Sequence, residues 1–123
     1  MPIVFVYGMS VVDKNRLRLR RRIQAAGANL RKLKLTKKQT TVFFVPPEPC
    51  FDYDEKNPGD VIVIVKGLFA KPERTNAVRQ EYATRLGEII KDAVAESAWP
   101  VGVIEVLLDQ PFDPSAGIYQ SRG

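Results

Sequence analysis

The chain has 123 residues, 45% of them apolar, with 19 Lys or Arg against 14 Asp or Glu, one cysteine and no histidine. That length suits one domain. The missing histidine removes the commonest general base and metal ligand, and a lone Cys50 can form neither an internal disulfide nor a zinc-holding thiolate cluster.

No apolar run approaches the roughly 18 residues of a membrane span, and the start lacks a basic segment followed by an apolar one. The expectation is a cytoplasmic protein with no membrane contact. The net charge of +5 is unevenly placed: residues 14 to 38 hold eleven Lys or Arg and no acid, leaving eight basic and fourteen acidic residues elsewhere. Such asymmetry marks either an anion-binding face or the solvated side of a helix.

The elements follow in order. Ile3-Val4-Phe5-Val6-Tyr7 is β-branched and aromatic and ends at Gly8, which predicts a strand closed by a turn. Pro2 heads that strand, directly after Met1. Asp13 suits a helix N-cap, and Leu19, Ile23, Ala26, Leu30 and Leu33 repeat at spacings of four, three, four and three. This predicts an amphipathic helix running to about Lys34, with its arginines in water.

Val42 to Val45 is a second strand, stopped by Pro46-Pro47. Residues 46–60, rich in Pro and acids, read as a surface loop. Val61 to Val65 is an unbroken apolar run, the pattern of a central strand. Pro72 suits a first helical turn, and Val78, Tyr82, Leu86, Ile89 and Ala93 predict a second helix. Val101 to Leu108 is a fourth strand, and Phe112 to Tyr119 suit a turn with a short terminal strand.

The halves repeat. A shift of 59 residues places Ile3 on Ile62, Phe5 on Ile64, Gly8 on Gly67, Leu19 on Val78, Ile23 on Tyr82 and Val42 on Val101. The chain is a tandem β-α-β repeat, 2–46 and 60–109, joined by loop 46–60. The fold class is α+β: one four-stranded mixed sheet with two helices on one face. The other face then needs a cover, and a second copy of the chain supplies it most economically.

Pro directly after Met, a strand, two β-α-β units and a short C-terminal turn together resemble the tautomerase superfamily over nearly the whole chain. The resemblance implies a homotrimer and cofactor-independent catalysis by an amino-terminal proline on small keto–enol carboxylic acids, with dehalogenase and decarboxylase relatives. It makes Pro2, freed by loss of Met1, the candidate general base. An α-amine has an ordinary pKa of about 8, and burial or nearby cations favour its neutral, proton-accepting form.

An enolate needs a fixed cation or donor, and a substrate carboxylate needs another. The resemblance offers Lys34, Lys66, Lys71, Arg74 and Tyr119 for these roles, each with an ordinary structural reading beside it. The loop Gly67-Leu68-Phe69-Ala70-Lys71-Pro72-Glu73-Arg74-Thr75 matches the family's basic loop only loosely. No Arg follows the first strand, and the fourth strand lacks the Tyr or Asn of some relatives. No metal or cofactor is implied. The expected partners are a small anionic substrate and further copies of the chain.

Two other readings share this element order. A ferredoxin-like nucleic-acid-binding domain fits the basic first helix, but Val61 to Val65 carries no aromatic base-stacking pair, so nucleic acid ranks second as a partner. A non-catalytic trimeric interaction protein on the same scaffold is the third.

Overall fold

Alternation along the strands sorts their side chains onto two unlike faces, and the sheet is built from that difference. The structure, a computed structural model, describes residues 2–9, 13–46, 59–97 and 101–109. Its elements are β1 (Ile3–Tyr7), α1 (Asp13–Ala28), β2 (Thr41–Val45), β3 (Gly59–Lys66), α2 (Asn76–Ser97) and β4 (Val101–Leu108). The sheet order is β2-β1-β3-β4, with β1 parallel to β2, β3 parallel to β4, and β1 antiparallel to β3. The expected mixed four-stranded sheet of two β-α-β units is present.

One face packs under both helices. Val4, Val6, Val42, Val61, Val63 and Val65 lie there, buried against Leu19, Ile23 and Ala26 of α1 and Val78, Tyr82, Leu86 and Ile90 of α2. Each such aliphatic contributes about 1.5–3 kcal/mol by leaving water. Ile90 is the deep residue of α2, where the sequence pattern had pointed to Ile89. A spacing of four from Leu86 keeps it on the same side as Tyr82.

The other face is uncovered in the single chain. Phe5 stacks on Tyr7 and Phe43 with ring centroids 5.9 and 5.6 Å apart. Phe43 is 50% exposed and Leu107 45%. Glu105 pairs with Ile62 and so stands on this side.

α1 is shorter than its apolar stripe. Its last regular bond is Asn29 N–H to Ala25 O at 2.8 Å, followed by a tighter Leu30 to Gly27 bond at 3.3 Å. Gly27 and Asn29 are weak helix formers, which explains a stop before Lys34. Gly27 also lets the helices approach, since an added Cβ would stand 3.4 Å from the Tyr82 hydroxyl. Two 3-10 turns, Arg31–Leu33 and Lys37–Gln39, continue the chain to β2, and the first still buries Leu33. Likewise α2 begins at Asn76, with Pro72 in a turn before it.

Two residues give direct tests of this packing. Gly8 has φ +85, and a Cβ there would meet the Asp60 carbonyl oxygen at 2.3 Å. Backbone cannot yield as a flexible side chain does, so Gly8→Ala should lower unfolding free energy by about 2 kcal/mol or more in urea melts. Tyr82 is fully buried, and burial pushes its pKa up to about 12, with Arg74 and the Thr40 hydroxyl acting in the opposite sense.

The folded state therefore holds the phenolic proton more tightly than the unfolded chain. That contribution is complete below pH ~10 and is lost as pH rises toward ~12. Between pH 8 and 11 the native protein should lose about 1 kcal/mol more stability than Tyr82→Phe, read from paired urea melts.

Candidate functional site

Pro2 sits at the head of β1, where three segments meet. Its carbonyl accepts the Thr41 N–H at 3.1 Å. The next residue, Ile3, is paired with Thr41 of β2 on one side and Lys66 of β3 on the other. The ring of Pro2 is fully buried. A proline fits because this position needs no N–H for the ladder.

Behind it, one residue before Thr41, Thr40 is 2% exposed. Its hydroxyl and that of Tyr82 interact, yet neither closes a hydrogen bond of regular geometry among the described residues. Gln24 holds the Thr40 carbonyl from α1, its Nε2 donating at 3.1 Å.

The loop after β3 closes over the 3-10 segment through two adjacent pairs. Arg74 is 9% exposed. Its Nε and Nη2 donate to the Leu33 carbonyl at 2.8 and 2.6 Å, and its Nη1 donates to the Phe69 carbonyl at 2.6 Å. Burial lowers the guanidinium's pKa, and Glu73 opposes that effect. An arginine stays charged even so, and its fixed fork suits two carbonyls at once.

Next to this pair, Lys34 Nζ donates to Glu73 Oε1 at 2.8 Å. That bond holds the exposed Glu73 carboxyl below the usual carboxylate range. Lys34 reaches it from the left-handed region, at φ 53. A non-glycine residue there costs of the order of 1 kcal/mol. The contacts on either side, Leu33 to Arg74 and Lys34 to Glu73, hold it in place.

The candidate residues thus fall in two regions. Pro2 is buried on the helix side of β1, whereas Lys66, paired with the next residue Ile3, is exposed on the uncovered sheet face. Lys34 and Arg74 meet where the 3-10 segment touches the loop, and Lys71 lies exposed in that loop. Arg74 differs from the others because its nitrogens already donate to backbone. Tyr119 lies outside the described residues.

Glu73, Thr40 and Tyr82 are additions that sequence reasoning did not select. Tyr82 belonged to an apolar stripe, and the only cue for Glu73 was its place beside Arg74. No group of His, Cys, Asp or Glu able to hold a metal occurs among the described residues. None of the described helices is long and apolar enough to cross a membrane.

Neither a protein-family profile nor any curated protein sequence matches the chain. Solved structures do. A macrophage migration inhibitory factor-like protein from Entamoeba histolytica aligns with a TM-score of 0.65 at 6% identity, covering 97% of this chain and 95% of that one. A fused 4-OT, solved as an asymmetric trimer, gives 0.64 at 15% identity over 87% of this chain and 84% of its own. FG41 malonate semialdehyde decarboxylase, inhibited by 3-bromopropiolate, gives 0.52 at 15% identity over 98% and 91%. These are tautomerase superfamily structures, and at such low identity the likeness is one of architecture. The chain has the tautomerase fold.

Proposed function

We propose that the protein is a cytoplasmic, cofactor-independent tautomerase or isomerase, with Pro2 as general base on a small keto–enol carboxylic acid. The observation that carries this reading is the setting of Pro2. It is a fully buried ring at the head of a strand bonded on both sides, with Lys66 across from its neighbour Ile3.

Loss of Met1 would turn that ring nitrogen into a secondary amine on an immobile support. Low polarity and nearby cations favour its neutral form. It would take the proton beside a carbonyl and return it at another carbon. Lys34 and Lys71 would supply the cations for the developing enolate and the substrate carboxylate, while Lys66 stands on the sheet face opposite the Pro2 ring. In this reading Arg74 acts through the turn that it fixes, and Tyr119 would close the pocket of a neighbouring subunit.

The uncovered aromatic face supports assembly of copies, and a homotrimer is the form we propose. The fused 4-OT neighbours were solved as trimers. Three chains would cover one another's open faces and leave the helices outside.

Intact mass followed by an enol-ketonisation assay with phenylpyruvate or 2-hydroxymuconate tests the catalyst. Loss of Met1, with turnover that falls at least ~100-fold in Pro2→Ala, is the expected result. A retained Met1 in natively expressed protein would end the proline mechanism, and a processed but inactive protein would leave a non-catalytic assembly. For the assembly itself, Phe43→Asp should give monomers in sedimentation velocity where the native chain gives trimers. A charge on that face must be desolvated to be covered.

A further inference from the structure

Charge is divided sharply around α1. On the side facing α2, Arg22 lies 3.6 Å from Asp92 and 3.8 Å from Glu96, and Arg18 lies 3.9 Å from Glu96. Arg21 has no carboxylate partner among the described residues. The same is true of Arg31 and Lys32 in the first 3-10 turn and of Lys37 and Lys38 in the second. Lys37 returns against α1. With Arg18, Arg21 and Arg22 it lines an open groove of about 430 Å³ that also includes Leu17 and Ala25.

We propose that this face binds the phosphate backbone of nucleic acid without reading its sequence. Three observations favour that occupant. Among the described residues the cations without a carboxylate partner are spread over the groove and both 3-10 turns, Arg31 and Lys32 lining a second groove that also holds Glu81, and several such cations suit a polymer with one charge per unit. Arginine's planar fork matches phosphate geometry. The exposed aromatics lie on the opposite side of the sheet, so no base-stacking platform adjoins these cations and the contacts stay on phosphate.

A lipid surface fits less well. A helix lying in a membrane needs an apolar stripe to insert. Here that stripe is spent on the core through Leu19, Ile23 and Ala26, leaving Leu17 as the exposed apolar residue of α1. The proposal is independent of Pro2. It is also compatible with a trimer, which would cover the sheet face and leave α1 outside.

Fluorescence anisotropy with a labelled oligouridylate of roughly 20 nucleotides tests it on the full chain. About four phosphate contacts predict affinity falling about 50-fold between roughly 50 and 200 mM salt. Arg21→Glu and Lys37→Glu should each weaken binding about 5- to 10-fold at the lower salt and flatten the salt slope. Lys91→Glu, an equal charge change on the exposed side of α2, should alter it less than about twofold.

Parallel arms use phosphatidylserine vesicles and polyglutamate. No saturable binding at low salt would overturn the proposal in favour of a solvated face, as would affinity indifferent to Arg21→Glu and Lys37→Glu. Tighter binding to the vesicles would reassign the face to lipid. Competition by polyglutamate as strong as by unlabelled oligonucleotide would reassign it to an acidic protein.

Discussion

Strand β1 is paired along its whole length on both sides, to β2 in parallel and to β3 antiparallel, and the remaining geometry depends on that double pairing. An end strand leaves one row of backbone groups open; an inner strand is fixed from two directions. Pro2 stands one residue before this strand and is held there by its own bond to Thr41 of β2. Thr41 is brought to Pro2, and Lys66 to its neighbour Ile3, by the same register that puts Val4 beside Val42 and Val65 in the core. Packing under the helices and the arrangement at the head of β1 are two results of one set of backbone bonds.

The uncovered face follows from the same alternation. Placing Val4, Val6, Val63 and Val65 under the helices obliges Phe5, Tyr7, Ile62 and Ile64 to point the other way. A purely soluble single sheet would carry polar residues there. This one carries stacked rings and leucine, and the apolar area asks for a partner surface.

The sheet was largely legible in the sequence because its signals are local. β-branched runs between Gly and Pro marked all four strands, and the repeat of 59 residues ordered them. Periodicity could not locate the end of α1. Leu30 and Leu33 stay in phase with the helical stripe while the backbone has already tightened into 3-10 turns.

The closure around Arg74 was not legible for a different reason. An arginine that donates to the carbonyls of Leu33 and Phe69 has no signature distinguishing it from a surface arginine. Partners 41 residues away become visible only once the loop is placed. The same holds for Lys34, whose left-handed backbone no neighbouring residue announces.

The β1–β3 register and the repeat meet at one point. Phe5 is paired with Ile64, and Ile64 is also the residue that the shift of 59 assigns to Phe5. An approximate two-fold axis therefore passes between these two residues and exchanges α1 with α2. Charge does not obey it. α1 carries five arginines besides Asp13 and Lys14, whereas α2 carries four acids, Glu81, Glu88, Asp92 and Glu96, against three bases.

Backbone symmetry with unequal charge gives the helix pair a dipole laid across that axis. In the field of a highly charged body such a dipole experiences torque before any atom touches. The basic helix would turn toward a negative surface and the acidic helix away from it, so approach is oriented while contact is still to come.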